Sequence, residues 1–416
     1  MIHFRKSTAF ALTTVTFCAL LCACAAKRPQ TSTPRSRSFV TLSEAGFIVD
    51  WSSQLHLTGG ESIQKLYLVG DTLHAMSDQN IDYALGAKAG QLQYLNQIAS
   101  PDTPVKGGPV QLGERVVFAT THTLEVYGPD GHLEKSIPLG QGVTGPPAGA
   151  ENMIYLGLEG QNSRLGAVDI TTSFNPVRWE VLSGGPVLGA PAVYQKEIYF
   201  GSQDGSVRAV DSDRAPLWPL LDGLRFDTRG AILADLKADK SGVYVACTDQ
   251  SLYCLYRNTG KIKWRFFAGV ALQTGPELTA TSVYQFVPGR GLAAIDKSEP
   301  IELDTQQTQS LGEQPIHTAR WTAPDATRLL AEDDRYAYVL STSNTILALD
   351  KSTGQRAFAS RRKDLAAFAT NPNGSIIYAA TARGLILAIQ PVLTPGATGE
   401  LALVIRPGAP RAAAAR

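Results

Sequence analysis

The stretch Ile198-Tyr-Phe-Gly-Ser-Gln-Asp-Gly-Ser-Val-Arg-Ala-Val-Asp211 decides the fold. It reads as an apolar strand, an Asp-Gly turn and an alternating strand, the pattern of a β-hairpin, because glycine supplies the left-handed backbone that a tight turn requires. Its landmarks recur along the chain. Tyr155, Tyr199, Tyr244, Tyr284, Tyr338 and Tyr378 each follow an apolar or small residue, at spacings of 44, 45, 40, 54 and 40. Ten residues after the last five, and twelve after the first, stands a small residue in a strand-like run: Ala167, Ala209, Cys254, Ala294, Ala348 and Ala388. Two columns keep step, so the chain is a repeat with a period of about 43 residues and one insertion.

Asn344 to Phe358 repeats the second half of the hairpin and adds another strand; Leu252 to Trp264 does the same, with Asn258-Thr259-Gly260 as the turn. Pro109, Pro146, Pro191 and Pro276 open a further strand upstream, which makes four strands per unit. Trp179, Trp218, Trp264 and Trp321 fall in or near the fourth strand, and Phe358 takes their place in the seventh unit. A large aromatic there can pack against the neighbouring sheet. The fifth tryptophan, Trp51, lies in Phe47–Leu57, which looks like a fourth strand without its first three, while the last unit, Ile376–Val392, lacks its fourth. Joining the two closes a ring.

Four-stranded units of this length around a channel predict an all-β fold, a β-propeller closed by an N-terminal strand. Phe47 to Val392 is 346 residues, which at this period gives eight blades, with seven as the alternative. The first two units, Leu66–Leu95 and Val105–Leu139, keep the strand rhythm but lose the alanine and tryptophan columns. The polar stretch from Ser298 to Gln314 is expected to be an excursion between strands three and four of blade six.

A chain of 416 residues would ordinarily suggest two to four domains, but the repeat assigns 47–392 to one ring. With 38 Lys+Arg against 37 Asp+Glu, there is no global field to recruit nucleic acid or an anionic membrane surface. Residues 1–23 read as a secretory signal: Arg5 and Lys6 precede an uncharged run from Ala9 to Ala26. Within it, Leu21-Cys22-Ala23-Cys24 resembles the bacterial lipoprotein box, which makes Cys24 the expected lipidated residue and mature N-terminus. Acyl chains contribute about 0.8 kcal/mol per buried methylene, so several of them anchor a protein whose body stays in water. Residues 24–46 then form the lipidated N-terminus and a polar tether. Ala25, in place of an inner-membrane retention aspartate, favours the outer membrane. The tail 393–416 is expected to be partly disordered, although 401–405 is strand-like and competes with the Trp51 strand for the closing position.

Cys247 and Cys254 share a hairpin, Val243–Tyr256, with a turn near Asp249-Gln250. Pairing Thr248 with Ser251 sets them diagonally, about 7–8 Å apart, beyond comfortable disulfide reach. They read as small buried thiols, with a bridge as the alternative in an oxidising compartment.

Asp204-Gly205, Leu347-Ala348-Leu349-Asp350, Thr353-Gly354 and Thr259-Gly260 with Trp264 together resemble the PQQ-like repeat family. With the lipoprotein box and tether, the layout is similar to the family's outer-membrane assembly lipoproteins. The resemblance implies a non-enzymatic periplasmic scaffold that docks on the outer-membrane barrel-assembly protein through loops of one propeller face. Those loops correspond to the neighbourhoods of Gly184–Ala190 and Phe226–Ala231, where Arg225, Asp227 and Arg229 are polar candidates; no partner-binding residue is assigned. An envelope lipoprotein of the same fold that binds a glycan or peptide is the runner-up, and a PQQ-dependent dehydrogenase comes third.

No catalytic, metal or cofactor residue emerges. Dehydrogenases built on this repeat carry an adjacent cysteine pair near the quinone, and the chain has no Cys-Cys and no Cys-x-x-Cys-His. Gly140-Gln-Gly-Val-Thr-Gly145 matches the letters of a dinucleotide fingerprint, but Pro146 and Pro147 stand where the phosphate-binding helix must begin. The six histidines, His3, His56, His74, His122, His132 and His317, are scattered, Glu332-Asp333-Asp334 reads as ordinary turn chemistry, and there is no nucleophile elbow or P-loop.

Overall fold

The computed structural model describes residues 46–391, apart from 161, 173, 219–224, 299–315 and 361. Among them the strands form eight small sheets in a ring, an eight-bladed propeller; the seven-blade alternative is set aside. Blade 1 runs from Ile63–Val69 on the inside to Leu92–Gln97 on the rim, and blade 2 from Val110–Leu112 to Leu133–Pro138. Blades 3 and 4 begin with Ala148–Ala150 and Ala192–Tyr194 and end with Val177–Leu182 and Phe226–Asp227. Blade 5 ends with Ile262–Phe267, blade 6 with Trp321–Ala323 and blade 7 with Arg356–Ala359. Blade 8 takes three strands from Leu365–Pro391 and its outer strand, Phe47–Gln54, from the other end of the described chain. Trp51 sits opposite Ala388, so the ring closes as the repeat requires.

The columns of the sequence are rows of the sheets. Tyr155 faces Ala167, Tyr199 faces Ala209, Tyr244 faces Cys254, Tyr284 faces Ala294, Tyr338 faces Ala348 and Tyr378 faces Ala388. Across the third strand, Ala167, Cys254, Ala294 and Ala348 meet Trp179, Trp264, Trp321 and Phe358. The small residue leaves room for the two rings to meet over it, with centroids 5.8 Å apart for Tyr155–Trp179 and Tyr284–Trp321. Each apolar face then closes on the next blade, giving eight separate buried clusters, one per junction.

A second contact ties four of the five tryptophans to the following blade. Trp51 Nε1 donates to Ala87 O (3.0 Å), Trp179 Nε1 to Ser212 O (3.0 Å), Trp321 Nε1 to Lys351 O (2.8 Å) and Trp218 Nε1 to Arg257 O. The acceptors lie in the turn between strands three and four. Gly90 (φ +69°), Gly260 (φ +66°) and Gly354 (φ +71°) in those turns lie against the rings of Trp51, Trp218 and Trp321; a Cβ on Gly354 would come within 2.6 Å of the indole. The Thr-Gly element of the repeat is thus the seat of the preceding blade's tryptophan.

Four expectations need correction. Blade 1 keeps its alanine: Ala84 lies between His74 and Tyr94, so only the tyrosine and tryptophan are replaced, whereas blade 2 has Val117, Val126 and Lys135 across the same row. Trp218 lies outside blade 4's outer strand, Phe226–Asp227, from which residues 219–224 separate it. After residues 299–315, which follow strand three of blade 6 as expected, Ile316–His317 first pairs in parallel with Arg265 and Phe266 as a fifth strand on blade 5. The cysteine hairpin is shifted by one residue, with Cys247 opposite Ser251. Cys247 therefore enters the core between blades 4 and 5, and Cys254 the core between 5 and 6. Both are buried free thiols; burial pushes Cys254 up to about 12 and Cys247 in the same direction. The signal, Cys24, the tether and the tail with 401–405 lie outside the described residues.

Candidate docking surface

Antiparallel succession puts each turn between strands two and three on the same face as the connection to the next blade. Around blades 4 and 5 that face is tied into one surface by backbone bonds. Gln203 N donates to Pro186 O (2.9 Å), Thr228 N to Gly205 O (2.9 Å) and Thr248 N to Ala231 O (3.0 Å). Ser202 Oγ donates to Ser183 O (2.9 Å), and Thr228 Oγ1 to Gly205 O (2.8 Å) and Gly230 O (2.7 Å). Gly205 (φ +88°) permits this closeness, since a Cβ there would meet Gly230 O at 2.6 Å. The two sequence-nominated loops are therefore neighbours, held in place by the Asp204-Gly205 turn between them.

Two of the three polar candidates meet. Arg225 Nε lies 2.9 Å from Asp227 Oδ1, and its Nη1 lies 3.7 Å from Asp204 Oδ2. Burial pushes the Asp204 carboxyl up, but hydrogen bonds from Ser202 and Ser206 and the nearby Arg225 outweigh it and hold the group below its ordinary value. It is therefore a fixed anion at neutral pH. Arg229 is apart from the pair: its backbone N–H donates to Asp249 Oδ2 (3.2 Å), and its side chain is exposed with no ion pair among the described residues. Hydrogen-bonded backbone that presents the exposed Arg229 head beside a fixed Arg225–Asp227 pair suits protein recognition, because little ordering remains to be done on binding.

At the ring's centre, Tyr67, Asp235, Lys237, Glu277 and Arg328 converge from blades 1, 5, 6 and 7. Burial pushes Glu277 up against the pull of Lys237 and Arg328, and burial pushes Arg328 down. Arg328 Nη2 donates to Phe368 O (2.5 Å), and Asp235 Oδ1 accepts from Ala190 N (2.8 Å).

Two carboxylates of the acidic run, Glu332 and Asp333, are occupied internally. Glu332 accepts from Tyr284 OH (2.8 Å) and pairs with Lys351 Nζ (3.0 Å); Asp333 accepts from the amides of Arg335 (2.8 Å) and Tyr336 (2.7 Å). Burial, aided by Glu332 and Asp333, pushes the hydroxyls of Tyr284 and Tyr338 upward, so they remain protonated donors. Gly140–Gly145 lies in the connection between blades 2 and 3, with no helix after it. Among the described residues no three His, Cys, Asp or Glu side chains could hold a metal ion, and the two thiols lie on opposite faces of blade 5. These residues do not fit a quinone–calcium centre.

One buried pair escaped the sequence reading. His74 Nδ1 lies 2.8 Å from Asp82 Oδ2, with both side chains fully buried. Its signal was in the columns: Asp82 stands where the other blades have Leu124, Leu165, Val207, Leu252, Leu292, Ile346 and Ile386.

The family model described as outer membrane protein assembly factor BamB matches residues 51–360. The chain belongs to the BamB family. The fold agrees with it: the crystal structure of BamB from Moraxella catarrhalis superposes with a TM-score of 0.60 at 15% identity, covering 83% of this chain and 97% of that one. A computationally designed protein, Ika8, superposes with a TM-score of 0.55 at 14% identity, covering 80% and 98%. At such identities the BamB likeness in three dimensions shows the propeller alone. The comparison with curated protein sequences gave no match.

Proposed function

We propose that the chain is a non-enzymatic propeller scaffold, held by lipid on Cys24 at the periplasmic side of the outer membrane, that serves the assembly of β-barrel proteins there. The family match over 51–360 carries the reading. The loop surface around Asp204, Arg225 and Arg229 supplies a place to dock, with charged groups on fixed backbone. The partner is the barrel-assembly protein of the outer membrane, and no nucleic acid is involved. Recovery of the chain from membranes in mild detergent should bring that protein with it, and Arg225→Glu with Arg229→Glu should weaken the association; a complex free of the barrel-assembly protein rejects the role. The anchor has its own test. Palmitate should label the wild type and not Cys24→Ser, and equal labelling removes Cys24 from the proposal. Dye reduction after PQQ and calcium are added would overturn the non-enzymatic reading.

A further inference from the structure

Each blade ends at the rim in an edge strand whose outward N–H and C=O groups invite another strand, and folded proteins protect such edges with charge, proline or brevity. Seven rims here are protected. Glu134, Lys135 and Pro138 mark blade 2; Arg178 and Glu180 mark blade 3; Asp227 sits on the two-residue strand of blade 4. Blade 5 has Lys263 and Arg265 and is covered in part by Ile316–His317, blade 6 ends in three residues before Pro324, and blades 7 and 8 carry Arg356 and Asp50. The rim of blade 1, Leu92-Gln-Tyr-Leu-Asn-Gln97, has six residues and neither charge nor proline. A bulge beside Tyr94 does not protect it specially, since blades 2, 3, 5 and 7 have the same irregularity at the same place.

The strand is also apolar where it is exposed. Leu95 faces Tyr83 and Leu92 faces Leu85, so the bulge brings both leucines to one side, where they are 55% and 39% exposed. Ile98 N donates inward to Asn80 O, and Gln91 O faces inward to accept from Gly86 N, both at 2.9 Å; by alternation, Leu95 and Gln97 present their backbone groups outward. The segment is complementary to itself. Turned antiparallel about Leu95, Gln93-Tyr-Leu-Asn-Gln97 sets leucine opposite leucine, glutamine opposite glutamine and tyrosine opposite asparagine, with no like charges meeting.

We propose that this edge is a self-association surface, on which a second copy of the chain adds its own Leu92–Gln97 strand antiparallel about Leu95. The contact is rim to rim, so both copies keep the loop face free. One strand pair is smaller than a standard interface, so the dimer is weak and reversible.

The test is sedimentation of the purified full-length chain in mild detergent over a concentration series, with oxidation of Leu95→Cys alongside. A hydrogen-bonded pair centred on Leu95 holds the two Cα atoms about 5.5 Å apart, within disulfide range. The wild type should show a monomer–dimer equilibrium, and oxidised Leu95→Cys a covalent dimer whose linking peptide maps to position 95 in both copies. Leu95→Lys should weaken dimerisation by about tenfold or more, while Leu182→Lys on the rim of blade 3 should leave it unchanged. Circular dichroism confirms that each variant is folded. A wild type that stays monomeric across the series, or a dimer that survives Leu95→Lys, overturns the proposal.

Discussion

The junction between blades 6 and 7 and the junction between blades 1 and 2 solve the same packing problem with different chemistry. At the first, the Trp321 ring lies against Gly354, its Nε1 bonds Lys351 O, and Tyr284 fills the row behind it. At the second, Tyr94 takes the tryptophan's place against Gly131, Asn96 Nδ2 supplies the bond to the next blade at Gly131 O (2.8 Å), and the tyrosine row holds His74. His74 and Asp82 close on one another, and the ring of His74 meets Phe118 of blade 2 edge-on at 6.0 Å. His74 Nε2 and Asp82 Oδ1 are left without partners among the described residues. A blade can thus exchange its aromatic and aliphatic columns for a polar pair whose members face one another, but one polar atom of each stays unpartnered among the described residues, so the pair holds less than the apolar contact it replaces.

The largest effect should come from removing the regular lock. Trp321→Ala is expected to cost about 3–5 kcal/mol, read from the shift in urea midpoint, whereas Tyr94→Ala, at a half-buried site, should cost less than half as much. Equal losses would break the distinction between the junctions. Next comes the polar pair. Asp82→Ala strands a buried imidazole and should destabilise by about 3 kcal/mol. The double change His74→Tyr with Asp82→Leu, which writes the regular columns into blade 1, should restore wild-type stability or exceed it. A double variant as weak as the single one would show that blade 1 needs its pair.

A smaller difference separates two tryptophans. Trp264 is buried, but its Nε1 has no acceptor among the described residues; strands three and four of blade 6 are separated in sequence by residues 297–320. Both changes to Phe lose packing, but Trp321→Phe should cost about 1 kcal/mol more than Trp264→Phe through its lost hydrogen bond. Thermal unfolding of the two variants side by side would show whether the bond to the next blade contributes as argued; identical losses would mean that packing alone sets the cost.

The ring was legible because a propeller repeats its constraints. Each Tyr, Ala and Trp answers to the same cross-strand row, so one hairpin read correctly fixes the others, and Trp51 with the incomplete last unit showed how the circle closes. What escaped was whatever departs from the row: Trp218 separated from its strand, Ile316–His317 joining the wrong blade, and a one-residue register set by the length of the turn at Thr248–Gln250. The candidate surface was legible only as two loops. Their adjacency depends on Ser202 Oγ bonding Ser183 O and on Gly205 O accepting from Thr228, and no spacing along the chain records contacts of that kind.

The smallest effect concerns the turn between strands three and four. Blades 3, 4, 6 and 7 end their third strand in Asp169, Asp211, Asp296 and Asp350, whereas blades 1 and 2 have Gly86 and Gly128 there. Asp169 accepts from Thr171 N (2.8 Å) and Thr171 Oγ1 (2.6 Å), and from Arg178 Nε (3.0 Å) and Nη2 (2.6 Å). Burial raises its carboxyl, but Thr171 and Arg178 together prevail and hold it below the ordinary value. A group depressed in the folded state stabilises above its unfolded pKa, about 3.9, and that stability is lost as pH falls through the lower folded value. Asp169→Asn should therefore cost roughly 0.5 kcal/mol at pH 7, and the gap to wild type should narrow as the solution is taken below the unfolded value. Blade 1 offers the control, since Gly86 makes its turn with the backbone alone, Gly90 N donating to Gly86 O at 2.8 Å. Gly86→Ala brings a Cβ within 2.4 Å of the amide end of the exposed Gln91 side chain, which can swing aside, so its effect on stability should be small and should not change with pH. A pH-independent gap for Asp169→Asn would mean that the carboxylate's charge plays no part and that the aspartate turns differ from the glycine turns in shape alone.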